Sequence, residues 1–402
     1  MAGWEKTYRT ARPCVEWGAN HARLLSMPKG SFNTVALLLQ GGGALGAYQA
    51  GVYQALAEAG VQPDWVAGIS IGAINAALIA GNTPGARIGK LREFWQEITA
   101  RPGWDWFTNS TLGFIDNNIV RQSYNQMSAG LSALTGATGF FSPRMVPPWL
   151  QPDGTLDATS YYDTGPLRDT LSRLVDFKRL NSDGMRFSAG AVNVRSGNFE
   201  YFDTKKQPIE VRHVLASGAL PPGFPAVEID KEYYWDGGLV SNTPLQWALE
   251  FGPREDTLAF EVDLWNARGD FPKNLADVGT RQKEIIFSSR TRENTDQFKH
   301  LQCLRHGVAK LLDSLPESEK QSTVAKHLAS FADNKVYNLV HLIYRSKRYE
   351  GDTRDYEFSR RSMEDHWEAG LHDTRRTLKH PEIFERPTDH EGVMTFDFGE
   401  KE

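Results

Sequence analysis

The sequence predicts an α/β fold, a mostly parallel central sheet with helices on both faces, and three observations carry that prediction. Short apolar runs closed by glycines alternate with segments of helical spacing through the first 263 residues. Two of these runs lie in long stretches without charge, between Ser31 and Ala57 and between Trp65 and Ala86, as strands covered on both faces require. Charge is also segregated: residues 264–402 hold 23 basic and 24 acidic side chains, nearly twice the density of the part before them. Each uncharged stretch is long enough for a membrane span, yet the first carries five glycines within Gly41–Gly51 and the second carries Ser70, Asn75, Asn82 and Pro84. Both therefore read as strand–turn–helix units.

The elements follow in order. Thr34–Leu39 is a strand, and Gly46–Ala59 spaces Tyr48, Val52, Tyr53 and Leu56 along one helical face. Trp65–Ile69 is a second strand, followed by helices over Ile71–Ala80 and around Arg87–Thr99. Pro166–Val175 opens with the proline favoured in a first helical turn. Arg186–Val192 and Phe199–Phe202 are strands, Val211–Ser217 a helix, and Ala226–Ile229 and Glu232–Trp235 short strands before a Gly-Gly turn. A helix from Pro244 and a buried strand at Thr257–Val262 complete the apolar part. Beyond it come helix from Leu275 to about Leu312, helix around Glu319–Phe331, a strand at Val336–Tyr344 and a charged helix over Phe358–Leu378.

This order divides the chain into a polar leader (1–33), a catalytic region (34–263) and a charged extension (264–402) whose late strand, 336–344, is placed to join the same sheet. Residues 101–162 interrupt the alternation with ten aromatics and only seven charges. They read as a helical subdomain with its own core, or as a lid or lipid-facing surface. In the extension, Met363, Trp367 and Leu371 recur every four residues, a stripe able to dock on the core or on a second subunit.

Composition narrows the function. With 45 basic and 50 acidic residues the net charge is −5, so a basic nucleic-acid-binding face is excluded as the main activity. Cys14 and Cys303 match no metal spacing and read as reduced thiols. The first 29 residues lack the pattern of a signal peptide, which points to a cytoplasmic protein.

Chemistry concentrates in three motifs. Gly68-Ile69-Ser70-Ile71-Gly72 joins a strand to a helix, a turn that exposes a strained serine above the helix N-terminus as a nucleophile. Gly41-Gly42-Gly43-Ala44-Leu45-Gly46 lets consecutive N–H groups face one concavity, a nest suited to an oxyanion. The same six residues satisfy the dinucleotide pattern, but its ribose-binding acid belongs after the second strand, where Ser70 stands; Asp64 precedes that strand. Tyr234-Trp235-Asp236-Gly237-Gly238 places a carboxylate at the end of an aromatic strand, where desolvation raises its basicity. Histidine is the alternative base, and the front region offers only His21 and His213.

Taken together these residues resemble the patatin-like phospholipases. The likeness extends through Ala216-Ser217-Gly218-Ala219-Leu220-Pro221, Phe224-Pro225 and Leu239-Val240-Ser241-Asn242-Thr243-Pro244, and covers about residues 34–263. It implies a three-layer α/β/α sandwich and a Ser–Asp dyad, with Ser70 as nucleophile and Asp236 as proton acceptor. Gly41, Gly42 and Gly43 would form the oxyanion hole, with Gly46, Gly68, Gly72, Gly237 and Gly238 shaping the turns. Where many members carry Arg or Lys this chain has Leu45, so the hole relies on backbone N–H groups and the helix dipole. The expected activity is hydrolysis of lipid esters, with the substrate met at a membrane surface and no metal or organic cofactor implied. Two other readings share these motifs: an acyltransferase using a histidine base, and an inert lipid-binding scaffold.

Overall fold

All six residues of Thr34–Leu39 are buried, because this strand lies in the middle of a sheet covered on both faces. The computed structural model describes residues 32–100, 118–182, 184–251, 254–288, 291–347, 349–387 and 392–399. Cys14, His21, almost all of the leader and the aromatics Trp104, Trp106, Phe107 and Phe114 lie outside these described residues.

The strands are β1 (Thr34–Leu39), β2 (Trp65–Ile69), β3 (Ser142–Pro143), β4 (Tyr162–Asp163), β5 (Arg186–Asn193), β6 (Phe199–Asp203), β7 (Val227–Ile229), β8 (Glu232–Asp236), β9 (Thr257–Asp263), β10 (Tyr337–Ile343) and β11 (Val393–Phe396). The longer helices are α1 (Ala47–Glu58), α2 (Ile71–Ala80), α3 (Pro84–Ile98), α4 (Asn118–Thr135), α5 (Gly165–Leu174), α6 (Val211–Ser217), α7 (Leu275–Phe287), α8 (Thr291–Ser314) and α9 (Arg360–Thr377).

Nine strands make one sheet in the order β11-β10-β9-β1-β2-β5-β8-β7, with β6 on the outer edge of β5. From β11 to β5 every neighbour is parallel; β6, β7 and β8 are antiparallel to their partners. β3 and β4 form a separate ribbon. The fold is thus a mixed α/β sandwich with a mostly parallel sheet. Side-chain alternation divides its core in two. Leu37, Leu39, Val66 and Phe260 pack on the face covered by α1, α2 and α9. Ala36, Leu38, Trp65, Ala67 and Leu339 pack on the other, against Leu245, Leu249 and Phe298 of α8.

The extension supplies β10, which pairs with β9 along seven residues, and α9, which lies against α1. The stripe of α9 faces this core: Met363 and Trp367 are buried and the Trp367 indole donates to Gln54 Oε1 at 2.7 Å. The two helices touch at glycines, where a Cβ on Gly51 would overlap the Trp367 carbonyl and one on Gly370 the Tyr48 carbonyl. The long helix expected over Leu275–Leu312 is two helices, α7 and α8, and the one expected around Glu319–Phe331 is two short ones, Glu317–Lys320 and Thr323–Ala329. Among the described residues, no helix is long and apolar enough to cross a membrane.

Candidate active site

β5 is longer than β2, and the difference builds the site. β2 pairs with Arg186–Gly190, and β8 takes the same edge beyond it, pairing with Ala191–Asn193; β6 occupies the opposite edge. Ile69, the last residue of β2, lies opposite Gly190, and Asp236, the last of β8, lies opposite Ala191. The two strands therefore meet end to end, which brings the Ser70 hydroxyl near enough to the Asp236 carboxylate to favour its charged form.

Ser70 sits in the turn that the sequence predicts, at φ 55° and ψ −126°, one of three non-glycine residues with positive φ among those described. Such a backbone costs about 1–3 kcal/mol and persists only where neighbours enforce it. The enforcing contacts are close. A Cβ on Gly68 would overlap the Gly72 backbone, and one on Gly72 would overlap the Leu39 carbonyl. The Ser70 N–H is shared between Ser217 O at 3.1 Å and Ser217 Oγ at 3.0 Å, and that hydroxyl donates to Gly190 O at 2.6 Å. Ser217 thereby ties the turn to β5.

Asp236 is 2% exposed and accepts from the Gly238 N–H at 2.7 Å. Burial pushes its carboxyl up to about 7, against the lowering effects of the nearby Ser70 hydroxyl and the Gly238 N–H. Gly237 lies so close to β5 that a Cβ there would press on Gly190 O.

The glycine turn is anchored from several directions. Gly41 donates its N–H to Asn242 O at 3.1 Å, and its carbonyl accepts from Asn242 Nδ2 at 2.9 Å and Trp265 Nε1 at 3.0 Å. Gln40, fully buried, accepts from the N–H groups of Leu264 and Trp265 at 2.7 and 3.0 Å. With the Gly41 N–H committed, Gly42 and Gly43 keep theirs; neither donates to any described residue. Gly43, at φ +56°, could not be replaced freely, since a Cβ would overlap the Asp355 carbonyl. Gly46 packs on Ile71, and its carbonyl accepts from Asn75, a buried residue that also bonds Gln49 and Trp95.

Gly41, Gly42, Gly43, Ser70 and Asp236 line one cavity of about 440 Å³. Its far wall is aromatic: Phe140 meets Phe224 at 6.0 Å and Phe358 at 5.5 Å between ring centroids, and Phe141 meets Tyr162 at 4.9 Å. That size and lining suit a largely apolar small molecule. Phe140, Phe141 and Tyr162 come from the aromatic-rich insertion, whereas Tyr356 and Phe358 come from the extension. Sequence reasoning missed these last two, together with Trp265 and Phe287, because no local pattern marks them. Asn242 and Ser217 stand inside runs already singled out, so their presence was legible but their roles were not. His213 lies elsewhere: its Nδ1 accepts from the Glu210 N–H at 2.8 Å, capping α6, and burial pushes its imidazole below the ordinary value.

Known proteins show the same likeness. A family model described as patatin-like phospholipase matches residues 37–249, more than half of the chain, and a second, described as patatin phospholipase, matches residues 285–390. Patatin-like phospholipase domain-containing protein 6 of Homo sapiens is 46% identical over 63 residues, 16% of this chain and 5% of that protein. The cGAMP-activated phospholipase of Pseudomonas aeruginosa is 28% identical over 113 residues, 25% of this chain and 34% of that one. The chain thus spans a small part of the human relative and about a third of the bacterial one. Among solved structures, VipD from Legionella pneumophila aligns over 92% of this chain and 72% of its own, with a TM-score of 0.39 and 16% identity. The chain belongs to the patatin-like phospholipase family.

Proposed function

We propose that the protein is a serine acyl hydrolase of lipid esters working through a Ser70–Asp236 dyad. Ser70 Oγ attacks the ester carbonyl while Asp236 takes its proton and then gives it to the departing alcohol, so that an acyl-enzyme and an ionised Asp236 remain. Asp236 then takes a proton from water, which attacks the acyl carbonyl, and returns it to Ser70 Oγ as the fatty acid leaves. Gly42 and Gly43 offer their N–H groups to the oxyanion, each worth about 3–4 kcal/mol in the transition state. The observation that carries this reading is the convergence of Ser70, Asp236 and the glycine turn on one aromatic-lined cavity, with the carboxyl raised by burial into the range of a working base.

The family supports lipid-ester hydrolysis in general. The test is hydrolysis of short-chain p-nitrophenyl esters by Ser70→Ala and Asp236→Asn, together with labelling of Ser70 by a fluorophosphonate. Loss of turnover by more than about 1,000-fold in both variants is expected. Full activity in either would sink the dyad. Wild-type protein that folds but neither labels nor turns over would favour the inert scaffold.

A further inference from the structure

Chemistry-bearing residues that acyl transfer leaves unused gather where the extension joins the sheet. β9 ends in Phe260-Glu261-Val262-Asp263, and its two acids, two positions apart, project from one face of the strand. β10 pairs in parallel register with His341 opposite Glu261, which brings an imidazole to that same face. One donor atom from each of the three lies within 4.8 Å of the others.

Glu261 is fully buried, and among the described residues neither of its carboxylate oxygens accepts a hydrogen bond. Its ion-pair neighbour is His341, with Nδ1 3.0 Å from Oε2, yet the two atoms are not aligned as donor and acceptor. A buried carboxylate left in that state is costly unless something else holds it. Two ligands about 2.1 Å from a shared ion lie about 3.0–3.4 Å apart, from a right angle to the tetrahedral angle that Zn²⁺ prefers. Close approach without hydrogen-bond alignment is what donors aimed at a common third point produce. Beside the cluster a cavity of about 310 Å³, bordered by Asp263, His341, Ser288 and Thr295, gives an ion a way in and room for coordinated water.

We propose that Glu261, Asp263 and His341 form a divalent-metal site that fastens the extension to the catalytic sheet, with Zn²⁺ the ion suited to one imidazole and two carboxylates. None of the three lines the acyl cavity, so the ion is structural rather than catalytic. Its influence on the active site runs through Asp263, which precedes Leu264 and Trp265, the residues bonded to Gln40 and Gly41. Sequence spacing gives no hint of the site because its ligands come from separate strands, and the third belongs to the extension.

The experiment uses the full, untagged chain, stripped with EDTA and titrated with Zn²⁺. Expected are one Zn²⁺ per chain by calorimetry and elemental analysis, and a rise in melting temperature. Asp263→Asn and His341→Gln should each weaken binding by at least about 100-fold. Substoichiometric binding, or binding that both variants keep, overturns the proposal and leaves an ion pair between His341 and the acids. Should a variant fail to fold, zinc X-ray absorption on the wild type decides: nitrogen and oxygen ligands at about 2.0–2.1 Å with imidazole scattering support the site, and a shell without imidazole overturns it. Soluble-ester turnover, followed in parallel, tests the dyad independently of metal content.

Discussion

The pH dependence of acylation follows from the burial of Asp236. A proton acceptor must be ionised, and with its carboxyl raised to about 7 the active fraction falls tenfold per pH unit below that. At about pH 5 roughly 1% of the protein carries the carboxylate, whereas an ordinary aspartate would be almost fully ionised there. Measured as kcat/KM on a soluble ester, activity should therefore rise about 100-fold from about pH 5 to a plateau above about pH 8. Stability should move the other way. A carboxyl raised on folding contributes stability that is fully present below its unfolded value of 3.8 and is lost as pH rises through about 7. At about 1.4 kcal/mol per unit, ionising the buried group costs the folded state about 4 kcal/mol by about pH 8, and under half of that at about pH 5. Asp236→Asn, inactive but neutral, should accordingly unfold at higher temperature than the wild type, with a margin that widens from about pH 5 to about pH 8. A kcat/KM profile flat down to about pH 5, or a stability margin independent of pH, would refute the reasoning.

Ser217→Ala removes the hydroxyl that ties the Ser70 N–H to Gly190 O and should lower kcat by about 10–100-fold with little change in KM, read by steady-state kinetics. Gly43→Ala should cost several kcal/mol, at least about 2, in chemical denaturation, because positive φ and the Asp355 carbonyl both oppose a Cβ. His213→Gln should keep esterase activity while losing about 1 kcal/mol of stability, since the imidazole caps a helix rather than serving Ser70. Met145, Trp149 and Leu150 are 99%, 75% and 69% exposed in the connection between β3 and β4, whose Tyr162 lines the cavity. Replacing Met145 and Trp149 by Ser should reduce hydrolysis of vesicle lipids but not of soluble esters; equal loss on both would count against a lipid-facing role.

The central strands were legible because burial on both faces leaves continuous apolar runs, and β1, β2 and β9 begin and end within a residue of where their sequences suggest. The nucleophile turn was legible for a related reason: a positive-φ serine between strand and helix needs glycines at fixed offsets. What composition hides is convergence from afar. Tyr356 and Phe358 reach the acyl cavity only because α9 packs on α1 and draws the preceding loop over Gly43, and no local pattern records that docking. The split between α7 and α8 was missed because residues 288–297 are polar but hold no glycine or proline to mark a break. Gly41 shows the limit of motif reading: the glycine belongs to the nest, yet its N–H is spent on Asn242, a partner two hundred positions away.

The abutment of β2 and β8 on one edge of β5 has a mechanical consequence. In many sites the distance between reacting groups depends on loops that breathe independently; here it is set by consecutive rungs of one ladder, Gly190 and Ala191. Changing it would require the whole register of β5 to slip, which would turn every buried side chain of that strand to the opposite face. The sheet acts as a ruler with the two chemical groups marked on adjacent divisions. The proposed dyad, held in this way, has no need of a third residue to aim its base, and selection on the surrounding loops can reshape the cavity without disturbing the spacing between Ser70 and Asp236.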